Sequence, residues 1–346
     1  MSIEEIKKVL EMCTRPLDFF GDVSLDEISK KYKKYARHCH PDIAPPDKKE
    51  LAEETIKMLN EIYDRAEKEY EKGIYNITDP KELYKHTPPI IEFKLKNKTY
   101  KFYKDLGYGD VCNTYEGLCD NELVFLRIVL DENDNDLLKE EYKMLRELEH
   151  LSLPKVISYL SLNGRSAIIY KKMPGLTTEE IIKTYGRIPG EHVAWMIERM
   201  LSLIGYLHEN KIIHGNIKPS NVIIDTDMHN VYLDDYSLSV KDANEDNKKY
   251  QIINENFTPS YVNSNALITP NVDIYGVGKI AILLLGGDIK SNGMPVDCDS
   301  RIRTFIRKLV DENQRQCDAW ALWDELIALR NEVYGTARFK KLERKL

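Results

Sequence analysis

Long apolar runs and an excess of positive charge are both missing from this sequence of 346 residues. No run approaches the roughly 20 apolar residues that a membrane-spanning helix needs, so we expect no membrane partner. The 57 acidic residues outnumber the 50 Lys and Arg, which gives a net charge of −7. Because general nucleic-acid binders usually carry a basic face, we expect no nucleic-acid partner either. The first twelve residues, MSIEEIKKVLEM, include acidic side chains, which argues against a signal peptide.

Paired cysteines are also missing. The six cysteines are Cys13, Cys39, Cys112, Cys119, Cys298 and Cys317. None of them forms a C-x-x-C pair, so we expect neither a zinc site nor a disulfide framework. This pattern is typical of a reducing compartment, and we expect a cytoplasmic protein. Hydrophobic residues make up 42% of the chain, which is enough for a substantial core.

The periodicity of the sequence changes along the chain and predicts two domains of different class. Residues 1–75 show only helical spacing, and residues 76–89 are rich in turn formers and predict a linker. Residues 90–346 begin with alternating, strand-like segments, the first two of which flank a turn predicted at Lys96 and Asn97, and become mostly helical from Thr178 onward. We therefore predict an α+β chain, in which a small all-α domain precedes a bilobal domain with a β-rich and an α-rich lobe.

The first domain is predicted to be a helical hairpin. Ser24 and Glu27 form a capping box before a helix that ends near Cys39, and a second helix is predicted over about residues 47–72. The first of these helices carries a predicted core-facing stripe, formed by Leu25, Ile28, Tyr32 and Ala36.

A His-Pro-Asp tripeptide, His40-Pro41-Asp42, lies between the two predicted helices. By itself it is weak as a signal, because histidine and proline are common where any helix ends. The preceding helix, however, is strongly basic, through Lys30, Lys31, Lys33, Lys34 and Arg37. A basic face beside an exposed polar tip steers a protein toward an acidic partner surface.

Together with LDFFG before it and LNEIYDRA after it, this layout resembles the J domain of DnaJ-type co-chaperones over about residues 14–75. The resemblance implies a DnaK-type chaperone as partner, whose ATP hydrolysis the tripeptide triggers. The residues to which it assigns chaperone binding are His40, Pro41, Asp42, Lys30, Lys33, Lys34 and Arg37. A Gly/Phe-rich segment and a zinc-binding repeat are missing, so an unknown client or regulatory protein would have to bind the second domain.

Residues 90–346 resemble a eukaryotic-type protein kinase domain, with several motifs in the family's order. The matching segments are LGYGDVCNTYEG for the glycine-rich loop, VFLR for the strand of the ATP-binding lysine, HGNIKPSN for the catalytic loop, DYS for the metal-binding tripeptide, and DIYGVG for the helix whose aspartate ties down the catalytic loop. The residues to which the resemblance assigns nucleotide binding are Gly107, Gly109, Arg127, Glu141, Lys218, Asn221 and Asp235. It implies weakly bound ATP with magnesium, the latter held by Asn221 and Asp235.

Several of these motifs depart from the family pattern. Asn216 stands where an aspartate accepts the substrate proton, and a carboxamide cannot act as that base. Arg127 replaces the lysine, and its longer planar head can displace the pairing with Glu141. Cys112 replaces the third glycine of the loop. Other departures are Ser237 for the glycine of the metal-binding tripeptide, and Asn265 and Cys317 for a glutamate–arginine pair of the family.

Three functions are open at this point. The departures at Asn216 and Arg127 favour a co-chaperone that is not an enzyme. Its pseudokinase domain would have no catalytic residue and would sense nucleotide or bind a client or partner. The alternative is an active but atypical serine/threonine kinase that its J domain targets. A kinase fold with another nucleotide-transfer activity has no positive support. Lys218, Asn221 and Asp235 are as compatible with remnants that have no ligand as with a nucleotide site.

Overall fold

The computed structural model describes residues 1–243, 254, 256–262, 268–313 and 318–343. They form two compact units, Met1–Tyr103 and Lys104–Leu346. The predicted mixture of helix and sheet is confirmed, and the second unit has the strand-then-helix order of a kinase-like bilobal fold. The limits proposed for a J domain, a linker and a kinase-like domain stay predictions.

The first unit begins with helices. They are α1 (Ile3–Met12), α2 (Pro16–Phe20), α3 (Leu25–His38), α4 (Lys49–Glu71) and α5 (Pro80–Tyr84). The predicted capping box at the start of α3 is present, with Ser24 accepting from the Glu27 backbone and Glu27 accepting from the Ser24 backbone. Ile28 of α3 and Leu59 of α4 are fully buried in one core. Leu25 is 39% exposed because it lies in the first turn, so its placement in the core stripe was wrong.

The chain that follows α4 is held against the first unit by Arg15. Its guanidinium donates to Glu69 at 2.7 Å and to the backbone oxygens of Ile74 and Tyr75 at 2.9 and 3.1 Å. Tyr75 is buried, and its hydroxyl donates to the Gly21 oxygen at 2.8 Å. Folded structure therefore continues beyond α4, the second helix of the predicted helical hairpin.

A β-hairpin lies at the end of the first unit, and its second strand runs on past Tyr103. Its strands are β1 (Ile91–Leu95) and β2 (Lys98–Tyr108), paired from Ile91↔Phe102 to Leu95↔Lys98. Lys96 and Asn97 have φ angles of 48° and 63°, as a tight two-residue turn between twisted strands requires. The turn predicted at these residues is confirmed.

The second unit opens with antiparallel strands. They are β3 (Cys112–Cys119), β4 (Glu122–Val129), β5 (Val156–Leu162) and β6 (Arg165–Lys171), in the order β3-β4-β6-β5. The first helix of this unit, α6 (Asn135–Glu147), packs against β5 and β6. Short strands follow: β7 (Leu176–Thr177), β8 (Ile212–Ile213), β9 (Val222–Asp225), β10 (Asn230–Leu233) and β11 (Val240–Lys241).

Helices build the rest of the second unit. They are α7 (Thr178–Tyr185), α8 (Gly190–Glu209), α9 (Asn271–Leu284), α10 (Ser300–Leu309) and α11 (Ala319–Tyr334). Helix α9 is buried on nearly all sides, and α8 packs against α9 and α11. A Cβ atom at Gly205 of α8 would lie 2.7 Å from the Trp320 ring, so only glycine permits this close packing. Within the described ranges, no helix is long and apolar enough to cross a membrane.

Candidate active site

Arg127 is at the centre of a buried charge cluster in the second unit. It lies on β4 and is 4% exposed. Its Nη1 donates to Glu141 Oε1 of α6 at 2.8 Å, and its Nη2 donates to Asp235 Oδ1. The planar fork of a guanidinium can bind two carboxylates at once, which a single ammonium does less well. Arg127 therefore keeps the Glu141 pairing that its longer head could have displaced, and it adds Asp235 as a second partner.

Glu141 is held by more than its ion pair. Its Oε1 also accepts from the Tyr170 hydroxyl at 2.9 Å and from the Tyr236 backbone at 3.2 Å. Its Oε2 is buried and finds no hydrogen-bond partner in the described part of the chain. Burial raises the pKa of Glu141 to about 7, against the opposing effect of Arg127. Two carboxylates share one guanidinium here, and Glu141 is the one that takes up a proton more readily.

We expect this raised pKa to appear as a dependence of stability on pH. The usual pKa of a glutamate is 4.5, so between this value and about 7 the folded protein keeps a proton that the unfolded chain has released. The stabilisation is complete below pH 4.5 and is lost as the pH rises through about 7. Urea unfolding measures the free energy of unfolding of wild type and of Glu141→Gln. The free energy of wild type minus that of the variant should fall by up to about 1.4 kcal/mol for each unit of rising pH in this window. A difference that stays constant with pH would contradict the assignment.

Asp235 is ionised despite its burial. Its Oδ1 accepts from Ser237 at 2.6 Å as well as from Arg127, and its Oδ2 lies 3.2 Å from Asn216 Nδ2. Burial acts to raise the pKa of Asp235, but the Arg127 charge and the Ser237 hydrogen bond outweigh it and hold the pKa below its usual range. The φ angle of Asp235 is 65°, a left-handed conformation that few residues other than glycine adopt, although aspartate tolerates it better than most.

Asp273 of α9 anchors the predicted catalytic loop through its backbone. Asp273 accepts from the backbone nitrogens of His214 and Gly215 at 2.9 and 2.8 Å, and its Oδ2 lies 2.9 Å from His208 Nε2. His214 is fully buried, and burial lowers the pKa of its ring. Its Nδ1 accepts from the Asn216 backbone at 3.2 Å. His214 therefore shapes the loop as a neutral ring.

The anchored loop presents three side chains to the charge cluster. Asn216 Nδ2 reaches Asp235, Asn221 Nδ2 donates to the Asn216 backbone oxygen at 3.0 Å, and Lys218 donates to Asp110. Five of the residues predicted to bind nucleotide thus meet in one place: Arg127, Glu141, Lys218, Asn221 and Asp235.

The first glycine of the predicted phosphate loop, Gly107, lies near the end of β2, and Gly109 lies in the turn between β2 and β3. Gly107 has a φ angle of 95°, and its backbone nitrogen donates to Asp105 at 2.8 Å. Gly109 donates to the Cys112 backbone oxygen at 2.7 Å. The Cys112 side chain is buried, and burial raises the pKa of its thiol to about 12. Cys112 is therefore a neutral packing residue.

The oxygen atoms of this site fit a magnesium ion. Magnesium prefers oxygen ligands and uses one or two carboxylates together with substrate phosphates. Asp235 offers an ionised carboxylate, and the Asn221 amide oxygen, which accepts one hydrogen bond from the Ser220 hydroxyl at 3.2 Å, has a second lone pair to offer. Over the described ranges no group of three or more His, Cys, Asp or Glu could hold a metal ion, so phosphates would have to complete the shell. With ATP and magnesium bound, such a site supplies phosphoryl-transfer chemistry.

Two features of this region escaped sequence reasoning. Asp110 binds Lys218 and approaches Asn216. The one signal in the sequence is that Asp110 is an acidic residue in a loop predicted to bind phosphate. Ser260 donates from its backbone to Glu312 at 3.0 Å. Asn265 and Cys317, predicted to replace a conserved pair nearby, lie outside the described residues.

A second candidate site lies on the first unit, at the tripeptide that follows α3. The His40 and Asp42 side chains are 53% and 83% exposed, and the Asp42 backbone donates to His40 Nδ1 at 3.2 Å. The four basic residues predicted to bind a chaperone are all exposed: Lys30, Lys33, Lys34 and Arg37. The side chains of His40, Asp42 and these basic residues are thus accessible to a partner.

Residues 100–327 match the family described as protein kinase domain. This match covers well over half of the chain, which therefore belongs to the protein kinase family.

Named relatives in that family are serine/threonine kinases. The chain is 24% identical over 222 residues to serine/threonine-protein kinase PrkC of Bacillus subtilis, which covers 62% of this chain and 33% of that protein. It is 24% identical over 220 residues to the probable serine/threonine-protein kinase PknB of Lactococcus lactis, covering 60% and 34%. With serine/threonine-protein kinase polo of Drosophila melanogaster it shares 22% over 232 residues, covering 62% and 40%. The chain thus spans about a third to two fifths of the length of these relatives.

The family match overturns one prediction. The conclusion that the chain is not an enzyme, drawn from Asn216 and Arg127, is wrong, because the chain belongs to a kinase family and its named relatives are serine/threonine kinases. The match begins at residue 100, so the J-domain resemblance of residues 14–75 stays a prediction.

Proposed function

We propose that the chain is an atypical serine/threonine protein kinase. The observation that carries this proposal is the convergence of Asp235, Asn221 and Lys218 beside the buried Arg127–Glu141 pair. In protein kinases the corresponding aspartate and asparagine hold two magnesium ions that bridge the phosphates, while a basic residue paired with a helix glutamate completes the site. All of these groups are present, with arginine in the basic position.

Asn216 makes this kinase slow rather than inactive. Phosphoryl transfer is catalysed almost entirely by positioning and by electrostatic stabilisation, and these do not depend on residue 216 acting as a base. A positioned base typically contributes about 10²–10⁴ in rate. Since kinases usually turn over at about 1–100 per second, we expect roughly 10⁻⁴–1 per second here.

The test is transfer of radiolabelled phosphate to serine- and threonine-containing substrates and to the protein itself. We expect slow transfer by wild type that Asp235→Asn reduces to background, because this change removes the carboxylate from the metal site. Asp242→Asn, at an exposed position, is the matched control and should leave the rate unchanged. Transfer that persists in Asp235→Asn at the wild-type rate would come from a contaminating kinase and would contradict the proposal.

The first unit supplies a second candidate function, recruitment of a DnaK-type chaperone. The observation that favours it is the exposure of His40 and Asp42 directly after a helix with four exposed basic side chains. Contact with an acidic chaperone surface would bring the kinase to that chaperone and to a client or regulatory protein carried with it. In this arrangement the chain is a co-chaperone as well as a kinase.

A further inference from the structure

Asp110 places a negative charge inside the phosphate loop. It follows Gly109 in the turn between β2 and β3, and its Oδ2 accepts from Lys218 Nζ. The two side chains are only 17% and 13% exposed, so water screens this ion pair weakly. The Lys218 charge of the catalytic loop is therefore neutralised by Asp110 of the same chain.

Asn216 fixes where in the site this carboxylate lies. Its Nδ2 is 3.2 Å from Asp110 Oδ2 and also 3.2 Å from Asp235 Oδ2. An amide nitrogen carries two hydrogens, so one group can serve both carboxylates. Asp110 thus lies next to the carboxylate predicted to hold magnesium, and kinase magnesium ions bridge the second and third phosphates. The Asp110 carboxylate accordingly occupies the phosphate end of the site.

We propose that Asp110 stands in for the terminal phosphate of a nucleoside triphosphate, so that the site in this state prefers a nucleoside diphosphate. The proposal rests on the proposed nucleotide site and adds its selectivity. A third phosphate must displace Asp110 from Lys218 and Asn216, because two anions in one place repel each other strongly. A diphosphate ends before this position and leaves the contact intact. Asp110 is thus a specificity-determining residue, and moving its loop aside admits the triphosphate.

Calorimetric titration of the full chain with ATP or ADP, each with magnesium, tests this selectivity. Asp110→Asn keeps the shape of the side chain and removes its charge. We expect this variant to bind ATP about tenfold more tightly than wild type does, and ADP within about twofold, since a like charge is removed only from the terminal phosphate. An equal gain for both nucleotides, or no gain for ATP, would overturn the proposal.

Asp105→Asn is the matched control, because it removes the same charge at the end of β2, five residues before Asp110. Asp105 accepts from the Gly107 backbone and not from Lys218. We expect the ratio of ATP to ADP affinity to match that of wild type. A ratio that changes as in Asp110→Asn would show a general charge effect and would also sink the proposal.

Hydrogen exchange of the nucleotide-free protein tests the contact without any ligand. In Asp110→Asn the backbone amides of residues 107–113 should exchange faster than in wild type, because the ion pair that holds the loop is lost. Unchanged exchange would show that the contact does not hold the loop and would overturn the proposal. If exchange rises but no variant binds either nucleotide, the nucleotide site fails, and the proposed kinase function fails with it.

Discussion

Replacing Arg127 by methionine lowers the free energy of unfolding of the second unit by about 3–5 kcal/mol, because removing one partner of a buried ion pair leaves uncompensated charge in the interior. Glu141 and Asp235 would then face each other with no cation between them. Denaturant unfolding measures the loss. Arg165→Met on the neighbouring strand β6 removes an exposed arginine and should cost little.

Removing all three charges together gives the decisive comparison. The triple variant Arg127→Met, Glu141→Gln, Asp235→Asn removes all three ions of this cluster, so it should recover much of the stability that Arg127→Met loses. If the single and triple variants are equally unstable, the penalty comes from lost packing of the arginine stem, and buried charge does not explain it.

Replacing His40 by glutamine should abolish stimulation of a DnaK-type chaperone ATPase by the full chain. The His40 side chain is 53% exposed, so its loss removes a contact surface and leaves the core of the first unit intact. His38→Gln is the matched control: this histidine is also exposed and lies two residues earlier, at the end of α3. Steady-state ATP hydrolysis by chaperones from the same source measures the effect.

The basic face of α3 provides a second arm of this experiment. Reversing Lys33 and Lys34 to glutamate should weaken stimulation most at low salt, because salt already screens exposed charges. Circular dichroism should show unchanged helix content in every variant. Stimulation that survives His40→Gln, or that His38→Gln removes equally, would contradict the J-domain assignment.

Much of the fold could be predicted from the sequence because its signals are local. A capping box needs two residues three positions apart, and Ser24 with Glu27 begins α3 as predicted. The turn at Lys96 and Asn97 likewise depends on two neighbouring residues. The misplacement of Leu25 has a non-local cause, because helical spacing indicates which face is apolar but not how far a neighbouring element covers that face.

The enzyme class was predicted wrongly because single residues were interpreted one at a time. A lysine-to-arginine change in isolation predicts a broken site. In the folded protein Arg127 binds both Glu141 and Asp235, so it retains the family's ion pair and adds a second one. The order of motifs over residues 100–327, which sequence reasoning did identify, carries the family membership despite these departures.

The sequence by itself determined the motifs, their order, and the chemical identity of each group in the site. Only the tertiary structure decided which groups touch. Arg127 and Asp235 are 108 residues apart along the chain, as are Asp110 and Lys218, and no local pattern pairs residues at such separations. Such pairs form only in the folded chain. There, α9 packs against the catalytic loop, and the turn between β2 and β3 contacts the same loop. The energy of a charge pair depends on that distance and on burial, and both are properties of the folded chain alone.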